Sequence, residues 1–108
     1  MKVIRPSEIE GIVTKVPAGE VTRRTIVSEG KDNLEIGTVN FSKGATNDFS
    51  VHAFDQVLYI TEGSGILATE TGEITVTKGM FVFIPAGEKH RHGSTKDSTF
   101  AHITIKCS

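Results

Sequence analysis

Short alternations of apolar and polar residues run through most of this chain, and a helical period is nearly absent. β-Branched and aromatic runs stand between Gly, Pro and Asp punctuation, the pattern of an all-β sandwich or barrel. The runs predict strands over residues 22–27, 34–41, 56–61, 65–69, 73–77, 80–84, 89–93 and 98–106. Turns are expected at Gly30, Gly44, Gly72, Gly79 and Pro85-Ala86-Gly87, and Gly63-Ser64-Gly65 reads as a hairpin turn. Residues 7–10 carry too little apolar surface for a helical turn and read as loop.

The run from Gln56 puts Gln56, Leu58 and Ile60 on one face and Val57, Tyr59 and Thr61 on the other. Both faces are largely apolar, as they are in Met80-Phe81-Val82-Phe83-Ile84. A small sandwich should keep its outer face polar, so these strands imply an outer face covered by an N-terminal strand or a second subunit. Homodimerisation is the expected arrangement, since closed two-fold pairs are the commonest oligomers.

At 108 residues the chain is sized for one domain spanning 1–108. Its 12 Lys and Arg against 13 Asp and Glu leave a formal charge of -1 with no basic block, which argues against a nucleic-acid partner. The lone Cys107 has no intramolecular disulfide partner, and no stretch has the length or apolarity of a membrane span. A cytoplasmic protein with no membrane partner is therefore expected.

Chemistry concentrates in Ser50-Val51-His52-Ala53-Phe54-Asp55-Gln56 and His90-Arg91-His92. Even spacing on a strand puts side chains on one face, so His90 and His92 share a face, and His102 has the parity of Phe100 and Thr104. All four histidines thus map to the interior, where an imidazole needs a partner. His92 or His102 is the natural general base, with a pKa expected near working pH. Asp55, Lys89 and Arg91 alternate away from these groups and read as outward-facing. Arg23 and Arg24 fall on opposite sides of one strand. Either could reach an anionic substrate, although a solvated edge is the ordinary expectation.

The two segments resemble the motifs of the cupin superfamily of small jelly-roll barrels. The first reads Gly44…Ser50-x-His52-x-x-x-Gln56…Gly63, with six residues between Gln56 and Gly63. The second reads Gly79-x5-Pro85-x-Gly87-x-x-His90-x-x-x-Ser94. The resemblance covers motif 1 at 44–63 and motif 2 at 79–94, and implies an all-β cupin jelly-roll barrel, a double-stranded β-helix. Closer likeness is to single-domain cupins with glutamine replacing the glutamate ligand, a group that includes cupin-fold hydroxynitrile lyases.

By that resemblance His52, Gln56 and His90 are metal ligands, and Ser50 stands at the position of a lost fourth ligand. His92 and His102 match pocket histidines that serve as acid or base. Two imidazoles and an amide suit Mn, Fe, Ni, Cu or Zn without choosing among them. The implied protein is a metal-dependent lyase or oxygenase taking a small organic acid or carbonyl compound in the barrel interior. The alternative is a metal-free ligand-binding or structural cupin that has lost catalysis.

Overall fold

The computed structural model describes residues 1–107. Its strands are β1 (Ile12–Val16), β2 (Gly19–Ser28), β3 (Leu34–Phe41), β4 (Gln56–Thr69), β5 (Gly72–Thr77), β6 (Phe81–Ile84), β7 (His90–Ser94) and β8 (Phe100–Cys107). They pair antiparallel in the order β1-β2-β3-β8-β4-β5, with β6 and β7 also paired to β4. The first half of β4 lies between β8 and β6, and its second half between β5 and β7. One long strand thus joins two faces into a curled, all-β jelly roll. Among the described residues no helix is long and apolar enough to cross a membrane.

The continuity of β4 corrects the expected hairpin at Gly63-Ser64-Gly65. Gly63 takes φ 72° beside a register shift between Ile60 and Glu62, so the chain bends there without reversing. A side chain at Gly63 would collide with the Thr99 carbonyl, and one at Gly65 with the Phe100 ring. Glycine here makes room for close approach within a strand rather than for a turn.

Two further differences lie at the amino end. Strand β1 was not expected, because it is a sheet edge whose Ile12 and Val13 are exposed, leaving no burial rhythm to read. Residues Pro6–Glu8 form a 3-10 turn held by backbone bonds from Glu8 N–H to Arg5 O and Ile9 N–H to Pro6 O. Pro6 presets the first dihedral, so the turn needs no buried face.

Directly opposed residues share a face, and the register therefore lays out the inner surface row by row. Val21, Phe41 and Phe100 form one row and, with Leu58 and Ile60, anchor the core. The next row is Arg23, Val39, His102 and Ile60; the one after it carries Thr25, Gly37, Thr104 and Leu58. A final row sets Glu35, Lys106, Gln56 and Ile84 side by side. The inner face thus grades from a closed apolar end to an open polar end.

Candidate functional site

The four histidine rings follow one another as neighbours. Ring centroids are 5.3 Å apart from His52 to His90, 5.0 Å from His90 to His92 and 5.3 Å from His92 to His102. His90, His92 and His102 are buried and His52 is half-buried, so the sequence reading of interior imidazoles holds. Their pairing explains the placement. Strand β7 alternates His90 and His92 inward, and β8 brings His102 alongside from the adjoining sheet half. Phe54 stacks on His52 at 4.9 Å, and Phe41 and Phe100 flank His102.

Two of the expected ligands hold an acceptor in a fixed direction. His90 Nδ1 lies 2.8 Å from the Glu88 carbonyl, which can only accept, so Nδ1 carries the proton and Nε2 the lone pair. His90 Nε2 is buried with no hydrogen-bond partner in the protein. The Gln56 amide donates from Nε2 to Thr104 Oγ1 at 2.6 Å, leaving its buried Oε1 without a partner. His92 Nδ1 and both ring nitrogens of His102 are likewise buried and unpartnered. Five such atoms in one place are a strong departure from the usual satisfaction of buried polar groups.

Ser50 sits differently. It is exposed, and its backbone pairs with that of His90 through Ser50 N–H to His90 O at 2.8 Å and the reciprocal bond at 3.0 Å. Ser50 lines the same cavity as His52, Gln56, His92 and His102, a space of about 220 Å³ at the polar end of the inner face. His90 instead borders a larger, mostly apolar cleft of about 820 Å³ between β5 and β6, to which Met80 also belongs. His90 thus stands at the wall between the two spaces.

Burial governs the protonation of these histidines. It is the main cause lowering the pKa of His52, with the His90 and Lys106 charges adding to it. His92 is held well below the ordinary value, by burial first and then by its histidine neighbours and Arg23. His102 is lowered to about 4 by burial and by Arg23, with the Ile103 backbone acting in the opposite sense. These shifts correct the expectation of a base titrating near working pH. At pH 7 His92 and His102 are neutral, and low dielectric rather than a partner sets their state.

A resident divalent ion can be tested against these donors. Two imidazoles sharing one ion, each with its nitrogen about 2.1 Å from the metal, place their ring centroids roughly 5 Å apart. The 5.3 Å between His52 and His90 fits. The unpartnered Gln56 Oε1 and His90 Nε2 are donor atoms of the kind a divalent ion takes, and Thr104 and Glu88 bond their side chains from behind. Among the described residues no three His, Cys, Asp or Glu side chains gather to hold a metal, so an ion here rests on two imidazoles and a neutral amide.

Sequence reasoning placed the outward residues correctly. Asp55 Oδ1 accepts the Ala86 N–H at 2.9 Å in a surface turn, and Lys89 and Arg91 lie over the Phe49 ring. It missed Asn47, whose Oδ1 accepts the His92 N–H at 2.9 Å, and it missed Thr104, Lys106 and Glu35 in the cavity wall. The alternation of Phe100, His102, Thr104 and Lys106 was the available signal for two of them.

A family profile for the cupin domain matches residues 37–106. A cupin-like protein of Thermotoga maritima is 29% identical with TM-score 0.79, covering 83% of this chain and 70% of its own. A predicted oxalate decarboxylase of the same organism is 18% identical with TM-score 0.85, covering 98% of both chains. A polyketide cyclase of Streptomyces resistomycificus is 22% identical with TM-score 0.87, covering 99% of this chain and 79% of its own. The last two likenesses are of fold alone. No curated protein matches the chain.

Proposed function

The chain belongs to the cupin domain family, and we propose that it is a small-molecule metalloprotein of that family. Its divalent ion is held by His52, Gln56 and His90, and it acts as a lyase or oxygenase on an organic acid or carbonyl compound. The observation that carries this reading is the pair of oriented, unpartnered acceptors, Gln56 Oε1 and His90 Nε2. A bound ion would supply Lewis acidity toward a carbonyl oxygen, or a site for oxygen chemistry if it is iron or manganese.

The protein's own groups do the rest. His92 and His102 are neutral at pH 7 and face the cavity with free ring nitrogens, so they accept a proton rather than donate one. Phe41 and Phe100 wall His102 on the core side and keep water from it. The likeness of His52-x-x-x-Gln56 to glutamine-ligand cupins supports the same assignment.

A second reading is a metal-free ligand-binding cupin. Ser50 favours it, because an exposed hydroxyl stands where an imidazole would complete the ligand set. Titration with Co²⁺, followed by visible absorption, separates the two. One equivalent bound in the wild type and lost in a His52→Ala, His90→Ala double variant supports the metalloprotein. No spectral change at millimolar Co²⁺ overturns it in favour of the metal-free reading.

The chain is also proposed to pair with a second copy. Phe81 and Phe83 are 71% and 62% exposed on the outer side of β6, and Tyr59 packs beside Phe81. Burial of that face in a dimer would account for its apolarity.

A further inference from the structure

The polar cavity is lined by Arg23, Arg24, Lys106 and Glu35, and among the described residues the exposed Arg23 side chain has no acidic partner. Arg23 lies opposite Val39, which lies opposite His102, so all three share the inner face. Arg23 lines one cavity with both His92 and His102. Among the described residues the Arg23 side chain makes no ion pair and no hydrogen bond.

The other charges at the cavity have partners of different kinds. Lys106 pairs with Glu35 at 3.6 Å and lies over the Phe54 ring at 4.7 Å. Arg24, which also lines the cavity, donates Nε–H to the Ile9 carbonyl at 3.0 Å, a neutral partner that leaves its charge in place. Inside, the neutral imidazoles of His92 and His102, 6% and 3% exposed, offer nitrogens without partners. The cavity therefore presents two guanidinium groups without an acidic partner above a floor of unsatisfied polar atoms.

We infer that this cavity binds a small organic carboxylate, with its carboxylate on the Arg23 guanidinium and its polar remainder against His92 and His102. The inference rests on the proposed reading of the cavity as a small-molecule site and names the class of molecule it takes. A guanidinium fork matches a planar carboxylate in two parallel hydrogen bonds. The volume of about 220 Å³ lies below the roughly 300–1,000 Å³ of pockets that enclose drug-sized ligands, so the carboxylate is small. Gly37 keeps this room open between Thr25 and Thr104, where any side chain would press on the Arg24 carbonyl.

The test is titration of metal-free protein, held in chelator, with pyruvate, propionate, pyruvamide, propionamide and inorganic phosphate. Binding is followed through the imidazole signals of protein labelled with ¹⁵N-histidine. Pyruvate and propionate should shift the His92 and His102 signals saturably, their amides should not, and phosphate should bind more weakly. Arg23→Gln should weaken the carboxylates by about tenfold or more without lowering the unfolding temperature, and Arg23→Lys should recover part of the loss.

Equal binding of acids and amides, or unchanged carboxylate affinity in Arg23→Gln, would overturn the carboxylate assignment and leave the cavity as a small-molecule site. Tighter binding of phosphate would replace the carboxylate with a phosphoryl ligand. Absence of any response from all five probes would overturn both this inference and the small-molecule reading. Because the assay holds no metal, failure of the proposed ion would not alter its outcome.

Discussion

The Gln56 amide nitrogen donates to the Thr104 hydroxyl at 2.6 Å, and the amide oxygen is left buried without a partner. With the nitrogen engaged, Oε1 is the free end of the amide, and it can serve as a metal ligand or hydrogen-bond acceptor but not as a donor. Thr104→Val removes the acceptor while keeping shape. It should lower affinity for the first-row divalent ions by roughly 10- to 100-fold, as loss of a supporting contact behind a ligand commonly does. Thr104→Ser should restore most of that affinity. Chelator competition on the three proteins measures this, and equal affinities would mean that Gln56 does not ligate.

Ser50→His restores an imidazole where the resemblance places a fourth ligand. The Ser50 backbone is fixed to His90 by two hydrogen bonds, so the new ring starts from a defined position at the cavity edge. Metal affinity should tighten roughly tenfold or more, because imidazole replaces a weakly held oxygen. Unchanged affinity would show that a side chain at position 50 does not reach the ion.

Stability should depend on pH through the buried histidines. His102 has a folded pKa of about 4, below the 6.5 of an exposed histidine, so the unfolded chain takes up the proton first as pH falls. The stabilising contribution is complete above about pH 6.5 and is lost progressively as the pH drops toward 4. The loss from His102 alone is on the order of 3 kcal/mol, and the lowered pKa of His92 acts in the same direction. Urea unfolding in chelator across pH 7 to 4 should show this slope in the wild type and a shallower one in His102→Gln. Identical slopes would mean that His102 is solvated and unperturbed.

Strand parity carried much of the site in advance. His90, His92 and His102 could be placed inward because a two-residue period fixes faces once a strand is recognised, and all three are buried. Gln56 and His52 were legible through motif spacing. What the sequence left open depends on contacts between distant segments. The bend at Gly63 follows from the approach of Thr99, 36 positions later in the chain, so Gly63-Ser64-Gly65 looked locally like a turn. The depressed pKa of His102 follows from burial against Phe41 and Phe100 and from Arg23 on another strand. Edge strand β1 escaped notice because backbone pairing to β2, rather than burial of its side chains, defines it.

Elemental analysis by inductively coupled plasma mass spectrometry, on protein purified without chelator or an immobilised-metal column, tests the central claim most directly. The wild type should carry close to one equivalent of Mn, Fe, Ni, Cu or Zn, and the His52→Ala, His90→Ala double variant should carry none. Metal-free wild type after incubation with each of these ions, or equal metal content in the double variant, would contradict an ion held by His52, Gln56 and His90.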